Sequence, residues 1–154
     1  MKPSIAWALV GMQFGAIAAL VVFPAGTWWD RGVTSGTVAA ILLAAGLVLV
    51  ALSGQRLGRS LTPSPIPRED ATLVTTGVYS RVRHPIYTGL LVAAAGGVVW
   101  GASLAHLVAW LFLLAVLSAK VAGEESLLRE KFEDYGSYVS RTGRFFPKFP
   151  AQTP

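Results

Sequence analysis

Long uncharged runs alternate with short polar stretches along this chain. Ile5 to Pro24 carries no charge and matches the ~20 apolar residues a helix needs to cross the hydrocarbon layer. Val33 to Leu52 is a second such run, broken only by the small polar residues Thr34, Ser35 and Thr37 near its start. A third, Ile86 to Ala119, spans 34 residues, too long for one crossing and about right for two closely joined ones. Gly96, Gly97, Gly101 and Ser103 lie near its middle, where a tight helical turn is expected. The pattern predicts four spans, 5–24, 34–53, 86–100 and 104–121, in an all-α integral membrane bundle forming a single domain over 1–154. The third is short, ~22 Å at 1.5 Å per residue. The first follows Lys2 and has the outline of a signal sequence, but its apolar core is long and more spans follow, so a retained helix is expected.

Composition agrees with this reading. Hydrophobic residues make up 53% of the chain and charged ones 14%, against about a quarter charged in a soluble domain. With no cysteine, disulfides, thiolate nucleophiles and cysteine metal sites are excluded, and no metal centre is expected. The net charge of +5 raises the question of nucleic acid, and the placement of the basic residues answers it. Under the four-span layout twelve of the thirteen Lys and Arg fall on one side and only Arg31 on the other. The positive-inside rule assigns the twelve to the cytoplasm, with both termini and the loop 54–85. The basic surplus is therefore a topology signal, with membrane lipids as neighbours and no nucleic-acid partner expected.

Two polar segments on that side could carry chemistry. The first begins with Pro63, Pro65 and Pro67, which keep it extended and stiff. It ends in Arg83-His84-Pro85 at the mouth of the third helix, with Pro85 suited to the first helical turn. The positive helix end then lies beside His84 and Tyr87, where an anionic group could settle. The second segment is 120–147. Lys120 with Glu124, and Glu125 with Arg129, are four apart and share helix faces. Leu127, Leu128, Phe132 and Tyr135 recur at helical spacing, predicting an amphipathic helix that leaves the membrane and lies along its surface. If the third and fourth helices form a hairpin, the segments converge on a pocket half in lipid, suited to a substrate with a greasy body and a polar head.

Each candidate has a plainer reading. His84 could be a cap, and Glu124-Glu125 a solvated face. Lys120 could snorkel from a helix end or touch substrate. Arg141 and Arg144 could bind only headgroups. Arg129, Glu130, Lys131, Glu133 and Asp134 read as solvated surface, His106 as interfacial on the outer side, and the five tryptophans as interface anchors and lipid-facing bulk.

The residues from Gly77-Val78-Tyr79 to Arg83-His84-Pro85-Ile86-Tyr87-Thr88-Gly89 read as G-x-Y…R-H-P-x-Y-x-G. Downstream, Glu124-Glu125 with Leu128, then Phe132, Tyr135, Tyr138 and Arg144 to Pro147, read as E-E-x-x-L…F…Y…Y…R-x-x-P. Together these motifs, covering about 63–147, resemble the isoprenylcysteine carboxyl methyltransferase family, allied to the membrane phospholipid methyltransferases. The resemblance implies an S-adenosylmethionine-dependent enzyme acting on a lipophilic substrate at the cytoplasmic face. It implies cofactor contacts from Leu73, Val74, Tyr79, His84, Pro85 and Tyr87. Glu124 would be a polar anchor and Glu125 its alternate, with His84, Tyr87 and Glu124 positioning the reactants. Lys120 stands where the carboxyl methyltransferases carry a substrate-binding arginine, and Arg144 is a second candidate for substrate. Competing expectations are a phospholipid N-methyltransferase, a nicotinamide-dependent reductase of sterol-reductase type, and a non-catalytic membrane scaffold.

Overall fold

The computed structural model describes residues 1–148. Four helices form the membrane bundle: α1 (Pro3–Val22), α2 (Val33–Leu57), α3 (Pro85–Gly101) and α4 (Leu104–Lys131). A short α5 (Tyr135–Arg141) follows. Of these, α1, α2 and α4 are long and apolar enough to cross a membrane, and α3 is a shorter apolar helix of 17 residues. Large apolar side chains such as Trp7, Phe14, Ile41, Leu47 and Phe112 are exposed on the flanks. In water they would form an aggregation-prone surface; in a bilayer they are the lipid-facing one.

Local chemistry sets the helix ends. Pro3 and Pro85 open α1 and α3, where the missing N–H goes unneeded. Gly58, at φ 52°, ends α2 in a conformation that side chains disfavour. The hairpin between α3 and α4 is as tight as expected, two residues, although Ala102 rather than a glycine takes the left-handed position, at φ 45°. Gly101 is needed for another reason: the His106 ring occupies the space a side chain there would fill.

Small residues bring α2 against α3. A Cβ at Gly89 would stand 2.7 Å from Gly46 O and 2.8 Å from Val50 Cγ2, and one at Gly96 would stand 2.7 Å from Ala39 O. Such close backbone approach is how helices associate where lipid removes the hydrophobic drive. The helix α1 packs mainly on α4, and Ala16, Leu91, Leu113 and Leu117 form a buried cluster joining α1, α3 and α4.

Three expectations need correction. α4 does not stop near 121 but runs unbroken to Lys131, because the polar residues after Lys120 are good helix formers with partners on the neighbouring segments. The predicted amphipathic helix is the continuation of α4 as far as Lys131, and a break at Phe132–Asp134 sets off the seven residues of α5, whose Tyr135 and Tyr138 are buried inward. The His106 side chain, in the first turn of α4, is buried rather than exposed: it is 4% exposed, with Nδ1 2.7 Å from Ser103 Oγ and its ring edge-on to Phe23.

Candidate active site

At the end of the bundle where α2 finishes and α3 begins, the loop 61–76 folds over the helix ends. Side chains stiffen its turns: Ser64 N donates to Thr62 Oγ1, Ile66 N to Ser64 Oγ, and Thr72 N to Ser60 Oγ. Lys131 Nζ, read from sequence as solvated, donates to the carbonyls of Arg68 and Glu69 and fastens the loop to α4. Gly77, at φ 63°, starts a 3₁₀ turn (Gly77–Ser80) that drops Tyr79 into the interior. Tyr79 Oη reaches Ser53 O at 3.4 Å, and Tyr138 Oη donates to Tyr79 O at 2.7 Å. Burial pushes the Tyr138 phenol up to about 12 and Tyr79 higher still, so both stay protonated donors.

The arm after α5 returns to the start of α3. Gly143 N donates to Arg81 O at 3.1 Å, Arg83 N to Gly143 O at 2.8 Å and His84 N to Arg144 O at 3.2 Å. Thr88 Oγ1 adds a bond to Phe145 O at 2.8 Å. Behind this seam lies a buried ion cluster. Glu125 accepts from Arg83 Nε at 2.9 Å and Arg144 Nη2 at 2.7 Å, and its Oε1 lies 3.3 Å from His84 Nε2. The Arg83 and Glu125 side chains are 8% and 5% exposed. Arg83 also donates to the carbonyl of Thr142. The Glu125 hydrogen bond holds the Arg144 guanidinium above its ordinary pKa. A buried carboxylate ringed by three cationic or cation-capable groups is compensated and fixed in place.

On the other face of the His84 ring the chemistry is looser. Tyr87 stacks on His84 at 5.6 Å with the planes 5° apart, and Tyr87 Oη donates to Glu124 Oε2 at 3.0 Å. His84 Nδ1 lies 3.8 Å from Glu124. Lys120 does not snorkel. It is 1% exposed, and Nζ donates to Gln13 Oε1 at 2.6 Å and Pro63 O at 2.9 Å while lying 5.2 Å from the Tyr87 ring.

Two adjoining cavities meet here. Leu57, Thr62, Tyr79, Arg83, His84 and Glu124 line both. The first, of about 80 Å³, lies under the loop and is also lined by Leu73, Val74, Leu128, Phe132 and Tyr135. The second, of about 300 Å³, turns toward the membrane helices and takes in Gln13, Tyr87, Leu90 and Lys120. Of the residues singled out from sequence, Leu73, Val74, Tyr79, His84 and Glu124 face the first cavity, and Tyr87 and Lys120 the second. Pro85, Glu125 and Arg144 line neither: Pro85 is buried at the head of α3, and the other two hold the ion cluster. Sequence reasoning missed Gln13, and it named Arg83 within the motif without giving it a role. Gln13 left a signal, a lone amide inside an otherwise apolar span, which is by default a functional candidate.

A family model for phospholipid methyltransferases matches residues 34–135, a stretch holding α2 to α4 and most of the cavity wall. The chain belongs to the phospholipid methyltransferase family. Two curated relatives are similar to this member. The nickel-cobalt-cadmium resistance protein NccN of Alcaligenes xylosoxydans xylosoxydans is 36% identical over 83 residues, 53% of this chain and 38% of that protein. The cobalt-zinc-cadmium resistance protein CzcN of Cupriavidus metallidurans is 32% identical over 125 residues, 80% of this chain and 53% of its own length. The chain thus spans about half or less of the length of the relatives it matches. In the phospholipid methyltransferase match, α1 with Gln13 and the arm with Arg144 lie outside the matched stretch.

Proposed function

We propose that this protein transfers a methyl group from S-adenosylmethionine to a lipophilic acceptor at the cytoplasmic face of the membrane. The observation that carries the reading is the pair of cavities with a common wall of Tyr79, His84 and Glu124, one opening under the polar loop and the other toward the membrane helices. Family membership supports methyl transfer as the reaction. When bound, the sulfonium supplies an activated methyl group, which leaves the protein to bind, align and exclude water.

The residues fit that division. Glu124 offers a carboxylate to the cofactor's ammonium or ribose hydroxyls, and its bond from Tyr87 fixes where it points. Leu73 and Val74 supply apolar wall under the loop. His84 is held from behind by Glu125, which orients the ring. On the acceptor side, Lys120 and Gln13 give the membrane-facing cavity a polar end suited to an electronegative head group, and Leu90 begins its apolar side. The first cavity alone is well below the ~300 Å³ at which ligand clefts begin, and it adjoins the second, of about 300 Å³.

Calorimetric titration of the detergent-purified protein with S-adenosylmethionine and S-adenosylhomocysteine, with NADPH as control, tests the reading. Binding of the sulfonium cofactor or its product is expected, weakened about tenfold or more in His84→Ala and Glu124→Ala. No binding of either by folded protein overturns the proposal, and binding of NADPH instead turns it to a reductase.

A further inference from the structure

Buried polar side-chain atoms are normally paired, since an unpaired one forfeits its bonds to water without replacement. Among the described residues one such atom lacks a partner, Tyr135 Oη. Tyr135 is 1% exposed. Its ring packs edge-on to Tyr138 at 5.9 Å, and the Arg129 guanidinium lies over it at 5.7 Å. Packing therefore fixes where the hydroxyl sits. Tyr138, three residues on, has its hydroxyl bonded to Tyr79 O, so the lack of a partner is particular to Tyr135. The residue lines the first cavity, and burial keeps its phenol in the protonated, donating form.

We propose that Tyr135 Oη donates a hydrogen bond to the nucleoside part of the S-adenosyl cofactor. This rests on the methyl-transfer reading above. Leu73, Val74, Leu128 and Phe132 line the same cavity, and apolar walls suit the flat faces of a nucleoside. His84 and Glu124 line the same cavity and remain for the charged amino-acid end or the ribose hydroxyls. The wall also carries the hydroxyls of Ser60, Thr62, Ser64 and Thr72, and a fixed, unpaired donor beside them is complementary to an acceptor such as a ring nitrogen or a ribose oxygen.

The test compares wild type, Tyr135→Phe and Tyr138→Phe in detergent. Thermal unfolding is measured without ligand, and calorimetry gives affinities for S-adenosylhomocysteine and for 5′-methylthioadenosine, which keeps the nucleoside and lacks the amino-acid end. Tyr135→Phe is expected to melt at or above the wild-type temperature, because it removes an unpaired buried hydroxyl. Tyr138→Phe is expected to melt lower, because it removes a bonded one. Tyr135→Phe should also bind both ligands about tenfold more weakly, one hydrogen bond's worth. Unchanged affinity in Tyr135→Phe, a loss confined to S-adenosylhomocysteine, or a lowered melting temperature overturns the assignment while leaving methyl transfer standing. Failure of the wild type to bind either ligand overturns both.

Discussion

Glu124 and Glu125 are adjacent, and the helix turns them to different surroundings. Glu125 faces Arg83, His84 and Arg144 inside the ion cluster, while Glu124 faces the cavities and accepts one bond from Tyr87. Their substitutions should therefore separate. Glu125→Ala leaves Arg83 buried beside no carboxylate, a change that typically costs about 3–5 kcal/mol, and the melting temperature should fall steeply. Glu124→Gln should melt near wild type yet lose cofactor affinity. The reverse pattern, measured by melting and titration on both variants, would reject these roles. Helical spacing had offered Arg129 as the partner of Glu125. Arg129 instead lies over the Tyr135 ring, and the true partners stand 42 and 19 residues away in sequence. Periodicity reports neighbours on one helix and carries no information about pairs made across the fold. The same holds for Lys120, whose partner Gln13 is 107 residues distant.

At the scale of elements, hydrophobic run length recovered four apolar helices, three of them long enough to cross a membrane, and the hairpin between the last two. What it could not recover was where α4 ends. Beyond Lys120 the residues turn polar as a membrane helix would on reaching water, but the backbone stays helical because loop 61–76 and the returning arm cover it. The motif residue Gly89 also acquires a reason at this scale. It lies where α2 and α3 touch through backbone, five residues past His84 and two past Tyr87. Gly89→Val would drive the two helices apart and tilt the head of α3. It should lower the melting temperature and weaken S-adenosylhomocysteine binding together. Gly11→Val, with nothing within 4 Å of its added Cβ, should do neither. Equal effects of the two in a side-by-side melt would reject close packing as the role of Gly89.

Across the whole molecule the two ends of the bundle differ in charge and in complexity. One end is a short closure in which Gly26 N and Trp28 N donate to the carbonyls of Gly101 and Ala102, with Arg31 over Trp100. The other collects the cavities, the ion cluster and most of the basic residues. That division was legible in the sequence because charge is counted segment by segment. The meeting of the two polar segments at a pocket was legible too, but not that Glu125 and the returning arm would close on His84. Since the chain contains no cysteine, single cysteines report sidedness without background. An Asp30→Cys variant in inverted and right-side-out vesicles should react with an impermeant maleimide from outside, and a Ser140→Cys variant from the cytoplasmic side. Labelling of both from one side would invalidate the orientation drawn from the positive-inside rule.

The seam between residues 81–84 and 143–144 also sets an order of events in biosynthesis. The membrane helices α1 to α4 all precede Gly143 in the chain and can partition into lipid before the returning arm closes on the head of α3. Insertion and competence are then separate stages, and the second begins only when the returning arm emerges and closes on the head of α3. A released chain truncated before Thr142 should resist carbonate extraction as an integral protein yet bind no S-adenosylhomocysteine. The chain carried through residue 154 should resist extraction and bind S-adenosylhomocysteine.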